Sequence, residues 1–452
     1  MKTTKKLFSL VLVIIMVACT MPLVYAEGET YAVGDLIQFG SYPQSQVKDE
    51  ALISTLGNLA PYWDECTSYR YYSGNGEIGS MTPGDWMKYA DVTYNGNTYR
   101  GVKFTQYRPY NTYSDSSYIS NQRDNGYTIN TVYWFKFEPI FWYILDPNTG
   151  LALCKNIIDA QPYSNTLYYN NTNEIEYTYF GDSDFTNYAS NYETSSIRAW
   201  LNEDFYKIAF TDNEKEKISI TTLNNDGYYT SIGNTDYKNL DSAKTNDKVF
   251  LLSYNDVCNS NYGFNSNLSI ADIARRVQGT DYAESQGLNV FKDINSPYHK
   301  NSKWILRSPG DFSGGCCGIS YYGFASFDYS VDITEYGIRP ALIINQLSGI
   351  KHTHNYSSNV IVPTCTTKGY TVSTCQCGDN YIANYVDIVN HKDSDNNYKC
   401  DFNCGYKFEN PADSCSCNCH ARGLKAFFFK ISIFFQKLFG KNQICACGAI
   451  HY

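Results

Sequence analysis

Apolar and polar residues alternate in short blocks along most of this 452-residue chain, and Gly, Asn, Asp and Pro cut the blocks apart. VYWFKFEPIFWYIL (132–145), DKVFLLSY (247–254) and IRPALII (338–344) have the length and content of half-buried or fully buried strands. In TSSIRAWLNEDFYKIAF (194–210) a period of three and four replaces alternation. Ile197, Trp200, Leu201, Phe205, Ile208 and Ala209 share one face there, and Thr194 or Ser195 can cap the start. The pattern predicts a second helix in SIADIARRVQG (269–279), stopped by Gly279. Long Tyr- and Asn-rich connections, 108–130 and 159–193, read as loops on a compact mixed scaffold. Near the C-terminus, LKAFFFKISIFFQKLFG (424–440) sets Leu424, Phe427, Phe428, Ile431, Phe434, Phe435, Leu438 and Phe439 on one side and Lys430 and Lys437 away from it. This is an expected amphipathic helix, suited either to peripheral contact in a membrane interface or to docking on a core.

The first residues change the setting. Lys2, Lys5 and Lys6 precede an apolar run from Leu7 to Val17, and a V-Y-A site ends at Ala26, so residues 1–26 read as a secretory signal peptide. A second reading makes Met16-Val17-Ala18-Cys19 a lipoprotein box with Cys19 lipidated. Outside the leader, no run reaches the roughly 20 apolar residues of a spanning helix. The expected location is therefore secreted, extracellular or cell-surface associated. A net charge of −9 argues against nucleic acid as the partner of the whole molecule. Forty-three tyrosines suit a sugar-binding surface and equally suit an AT-rich genome.

Cysteine usage divides the rest. Between Tyr31 and Asn345 stand only Cys66, Cys154, Cys258, Cys316 and Cys317, whereas Cys365, Cys375, Cys377, Cys400, Cys404, Cys415, Cys417, Cys419, Cys445 and Cys447 crowd the remainder. The organisation expected is an extracellular α+β domain at 31–346, a small Cys-rich β-hairpin module at 351–411, and a Cys/His-flanked helical tail at 412–452. C-x-C-G at Cys375 and Cys377 and C-x₃-C-G at Cys400 and Cys404 have the form of zinc knuckles, with His352, His354 or His391 able to complete a shell. Disulfide staples are the competing reading for an exported module. The same choice applies to Cys415, Cys417, Cys419, His420, Cys445, Cys447 and His451. A straight 17-residue helix between the two tail clusters, about 25 Å long, keeps them from sharing one ion. Neighbouring cysteines at i and i+2 rarely bond each other without strain, so CSCNCH does not readily close on itself. Sixteen cysteines, one of them Cys19 in the leader, leave an odd fifteen, so at least one thiol stays free, binds metal or bridges chains. Asp393-x-Asp395-x-Asn397 with Asp401 has part of a calcium loop, but Tyr398 stands where Gly makes the turn and the bidentate Glu is missing, which favours a solvated loop.

In the larger domain Arg307 and Arg339 sit inside apolar strands and are expected in structural ion pairs. Trp142, Trp200 and Trp304 are expected in the core, whereas Trp63 and Trp86, in loop-like sequence, are the candidate ligand-binding platforms. Adjacent Cys316 and Cys317 cannot straddle one metal without strain, which favours a vicinal disulfide or pairing with Cys154, Cys258 or Cys66. The domain's one histidine, His299, gives no conventional triad, and no Gly-rich phosphate loop follows a strand.

GDLIQFGSYPQSQV (34–47), FKFEPIFWYILD (135–146), SSIRAWLNEDFYKIAF (195–210), DKVFLLSYNDV (247–257), WILRSPG (304–310) and GIRPAL (337–342) occur in this order, and the stretch resembles an uncharacterised family of secreted bacterial domains of unknown function. The closing W-x-L-R-S and G-x-R-P pair is also similar to the end of C-type-lectin-like domains of the formylglycine-generating-enzyme type, which implies a C-type-lectin-like fold with long loops. That type holds copper on a cysteine pair, but its separated spacing is absent here. The module at 351–408 resembles one recurring in surface proteins of gut Firmicutes. The tail resembles a terminal segment shared by otherwise different Firmicute surface proteins, which implies attachment or assembly. The function expected is a non-enzymatic ligand-binding protein, with a glycan or envelope component as partner, no certain cofactor, and zinc as the candidate in the C-terminal segment. Two alternatives remain: an extracellular hydrolase with an Asp/Glu pair, and a purely structural surface module.

Overall fold

The structure, a computed structural model, describes residues 30–65, 67–68, 86–111, 121–164, 189–234, 240–312 and 314–408. The chain divides into two compact units, Met1–His352 and Thr353–Tyr452. In the first, the strands are β1 (Leu36–Gln46), β2 (Thr67–Ser68), β3 (Met87–Tyr94), β4 (Asn97–Phe104), β5 (Val132–Asp146), β6 (Leu151–Cys154), β7 (Asp159–Ala160) and β8 (Thr221–Asn225). They continue with β9 (Ser242–Asp247), β10 (Val249–Phe250), β11 (Trp304–Pro309), β12 (Gly315–Ile319), β13 (Ala325–Ser330), β14 (Gly337–Ile338) and β15 (Ala341–Ile343). An eight-stranded sheet runs β10-β15-β6-β5-β4-β3-β2 with β1 also on β5, and a five-stranded sheet runs β13-β12-β11-β14-β7.

Strand β5 organises the first sheet because its apolar run is long enough to pair with β1, β4 and β6 at once. The predicted strand at 338–344 is broken in two. Arg339 and Pro340 separate β14, which joins the second sheet, from β15, which joins the first. Pro340 cannot donate to a ladder, so the chain changes sheet there. Trp142 and Trp304 have no exposed surface and Trp200 is 5% exposed. The indole of Trp142 donates to the Phe39 carbonyl at 2.7 Å, so its one polar atom is satisfied inside the core.

The helix predicted at 194–210 forms with a modification. Ser195 caps it by accepting from the Arg198 N–H; Ser196–Trp200 is α, Leu201–Phe205 is a π turn, and Tyr206–Ala209 is α again. Asn202, in the π turn, accepts from the N–H groups of Lys248 and Val249 and donates to the Val249 carbonyl. The bulge thus tethers the helix to β10. The helix predicted at 269–279 is corrected: only Ile273–Arg275 coils, as a 3₁₀ turn. Its apolar spacing is overridden by Arg275, which is fully buried and donates to the carbonyls of Gly323, Val257, Asn265, Asn267 and Ile270.

In the second unit β16 (Tyr356–Ile361), β17 (Gly369–Cys375) and β18 (Asn380–Val386) form an antiparallel sheet in that order. No helix among the described residues is long and apolar enough to cross a membrane. The predicted helix at 424–440 lies outside the described residues.

Candidate metal centres

The interior of the small unit is unusual in composition. Its described buried residues are Cys365, Cys375, Cys377 and Cys400 with Gly369 and Ser373, whereas Val360, Val362, Tyr381, Ile382, Tyr385, Val386 and Ile388 are all exposed. Thiols occupy the place of an aliphatic core.

Two turns bring these thiols together. In Cys375-Gln376-Cys377-Gly378 the Gly378 N–H donates to the Cys375 carbonyl at 2.8 Å, and the Cys375 N–H donates to the Asp379 carbonyl at 2.8 Å. Gly378 has φ +85°, a conformation that a residue with a Cβ adopts at a cost, so the glycine of C-x-C-G is what lets both sulfurs face one side. In the second turn Asn403 donates to the Cys400 carbonyl, and Gly405 has φ +87°.

The first group in the module joins His354, Cys375 and Cys377, whose ligand atoms lie within 4.8 Å of one another. The second joins Cys365, His391, Cys400 and Cys404 within the same limit. Cys377 Sγ is 3.3 Å from His354 Nδ1, Cys404 Sγ is 3.4 Å from His391 Nδ1, and Cys365 Sγ is 3.6 Å from Cys400 Sγ. Zinc bonds of about 2.3 Å to sulfur and 2.0 Å to nitrogen imply tetrahedral edges of about 3.8 and 3.5 Å. A disulfide requires about 2.05 Å, and all nine described cysteines are free. The clusters therefore have the donor set and spacing to hold a metal such as zinc.

The electrostatics match. Desolvation alone would raise the Cys375 thiol, but N–H donation from Cys377 and the contact with His354 outweigh it and bring it to about 6. At Cys400 desolvation is likewise outweighed, by N–H donation from Phe402 and Lys392, giving about 6. Cys365 is pushed up to about 12, by desolvation first and then by Cys404 and Cys400. Crowded sulfurs cannot all ionise without a cation among them. Flat rings hold the imidazoles: Tyr406 stacks on His391 at 3.9 Å and 4°, and Tyr356 on His354 at 5.6 Å and 14°.

The third group is acidic and is different. Asp393, Asp395 and Asp401 come together, but their oxygens accept from the N–H groups of Ser394, Asn397 and Tyr398. They close a loop on itself.

Of the sequence-derived metal candidates, Cys375, Cys377, Cys400 and Cys404 fall into the two clusters. Cys415, Cys417, Cys419, His420, Cys445, Cys447 and His451 lie outside the described residues. Cys365 was missed as a ligand, although it is the one cysteine between 352 and 404 outside the two glycine turns.

In the large unit several expectations need correction. Cys316 and Cys317 are buried free thiols, unpaired with each other, Cys154 or Cys258, and Cys66 lies outside the described residues. Both sit in β12 with Cys317 Sγ donating to the Pro309 carbonyl. Burial raises both, and it pushes Cys154 up to about 12, so these sulfurs behave as small apolar side chains. Trp86 is 1% exposed, parallel to Phe104 at 6.0 Å and beneath the Arg108 guanidinium, and its ring is a core surface rather than a solvent-facing platform. Trp63 is partly buried, edge-on to Trp134 at 6.2 Å. Arg307 pairs with Asp256 at 2.8 Å and donates to the Leu251 carbonyl. Arg339 makes no ion pair among the described residues. It donates to the Cys154 carbonyl and lies 5.2 Å from the Trp304 ring, and desolvation lowers it to about 10.

The described secondary structure is largely antiparallel strand with few helices, and no solved structure matches the chain, so its likeness to C-type-lectin-like domains stays an expectation. No curated protein matches either. The family match is narrower than the motif order suggested: residues 151–346 match the model of a domain of unknown function, DUF6273.

Proposed function

We propose that this chain is a non-enzymatic secreted or cell-surface protein whose large domain binds an extracellular ligand and whose C-terminal module is folded by two zinc ions. The observation that carries this reading is that, among the described residues, the buried side chains of the module are those of Cys365, Cys375, Cys377 and Cys400 with one serine, Ser373, and no aliphatic residue. The second cluster offers four protein ligands and the first at least three. A shell closed by the protein has no position for substrate, which makes the second site structural, whereas a catalytic zinc keeps one position open. With so little apolar burial, the free energy of metal binding becomes the free energy of folding. The tail at 412–452 is proposed to retain the protein at the envelope, on the strength of its Phe-lined, Lys-bearing segment.

Elemental analysis of the exported full chain, purified without reductant, tests the module. Cys377→Ser and Cys404→Ser should each remove one equivalent of zinc. Finding Cys365 and Cys400 joined in a disulfide, with no metal lost in either variant, would refute it.

A further inference from the structure

Three loops of the large domain meet at one surface: residues 270–276, 291–301 and the turn 320–324 between β12 and β13. The turn is fixed at Gly323. Its φ is +84°, and a Cβ there would lie 2.2 Å from the Asp272 carbonyl oxygen. The Gly323 carbonyl accepts from the Asp272 N–H and from Arg275 Nε. Its neighbours Tyr322 and Phe324 are each 37% exposed. Tyr298 meets Tyr322 edge to face at 4.8 Å, and Phe291 supports both. Arg276 crosses this cluster, its guanidinium 4.8 Å from the Tyr298 ring and its Nε donating to the Tyr322 carbonyl. Both Nη groups of Arg276 have no hydrogen bond among the described residues. The carboxylate in the same loop, Asp272, is already occupied by the N–H groups of Asn265 and Ala274.

We propose that this surface binds a carboxylated saccharide. The pyranose ring lies on Tyr322 and Phe324, and the sugar carboxylate takes the free fork of Arg276. Aromatic faces accept the C–H face of a pyranose, and a guanidinium with two free donors matches a carboxylate bidentately. The tethered turn presents these groups already ordered, which lowers the entropy cost of binding. A neutral sugar would leave the cation unused, so charge decides the class. The inference rests on the ligand-binding reading above.

Affinity electrophoresis of the full mature chain through gels containing polygalacturonate, with dextran as the neutral control, tests it. Polygalacturonate should retard the protein, less so at high salt, and dextran should not. Arg276→Gln and Phe324→Ala should each weaken retardation about tenfold while keeping the wild-type thermal midpoint. No retardation by polygalacturonate, or retardation by dextran alone, would overturn the acidic-sugar assignment. Retardation that both variants keep would remove this surface while leaving ligand binding by the large domain standing.

Discussion

Replacing Arg275 should be among the most damaging single changes in the large domain. The side chain is fully buried and donates to five backbone carbonyls, at 2.9 Å to Gly323, 3.0 Å to Val257, 2.9 Å to Asn265, 3.1 Å to Asn267 and 2.9 Å to Ile270. Asp272 stands 3.7 Å away and balances its charge. Each hydrogen bond from a charged donor contributes roughly 1.5–3 kcal/mol, and each buried carbonyl left without a donor costs roughly 1–3 kcal/mol. These terms do not add, because the loops can move to admit water, and removing one partner from such a buried charged network costs about 3–5 kcal/mol. Arg275→Ala should therefore destabilise by about 4 kcal/mol. Arg275→Lys should recover only part of that, since an ammonium has three donors and no fork. At about 2 °C per kcal/mol for a domain of this size, the alanine variant should melt roughly 8 °C lower by calorimetry. A loss below about 1 kcal/mol would show that the five carbonyls do not depend on this side chain.

The buried carboxyl of Asp159 gives a pH dependence. Burial pushes it up to about 6, against the pull of Arg108 and donation from Tyr42. The folded state thus prefers the protonated acid, so this contribution is fully present below about pH 4 and is lost as pH rises through 6. The accumulated cost at pH 7 is about 3 kcal/mol. Asp159→Asn can still accept from Ala160 and should flatten the urea-midpoint profile between pH 4 and 7; an unchanged slope would count against it. Gly150 has φ +76°, and an added Cβ would sit 2.0 Å from the Ile344 carbonyl oxygen. Gly150→Ala should therefore cost roughly 3 kcal/mol by separating β6 from β15, read as a lower denaturation midpoint. Deleting residues 412–452 should shift the protein from the envelope fraction to the medium, and unchanged fractionation would remove the retention role.

What the sequence made legible depended on whether local pattern and tertiary packing agreed. The run at 132–145 became β5 because it is apolar on both faces and is paired on both sides. The helix at 269–279 failed because Arg275, whose side chain looks solvated in a sequence, turns inward and donates to carbonyls of the surrounding loops, including that of Ile270, which a helix would have satisfied itself. Trp86 was misjudged as exposed for a related reason: it directly precedes β3, so its loop-like neighbours said little about its packing. In the module the C-x-C-G and C-x₃-C-G turns announce themselves through glycine, yet the division of ligands does not. Cys365 and Cys400 are 35 residues apart, and only the folded chain brings them to 3.6 Å.

The proposed function gives the C-terminal module two metal ions in place of an apolar core. Zinc K-edge absorption on the exported chain truncated after residue 411 tests it most directly. The module's five sulfurs and two nitrogens, shared by two ions, predict an average shell of 2.5 sulfur neighbours and at least one nitrogen neighbour per zinc. A zinc-free protein with oxidised cysteines, or a shell rich in oxygen, would contradict it.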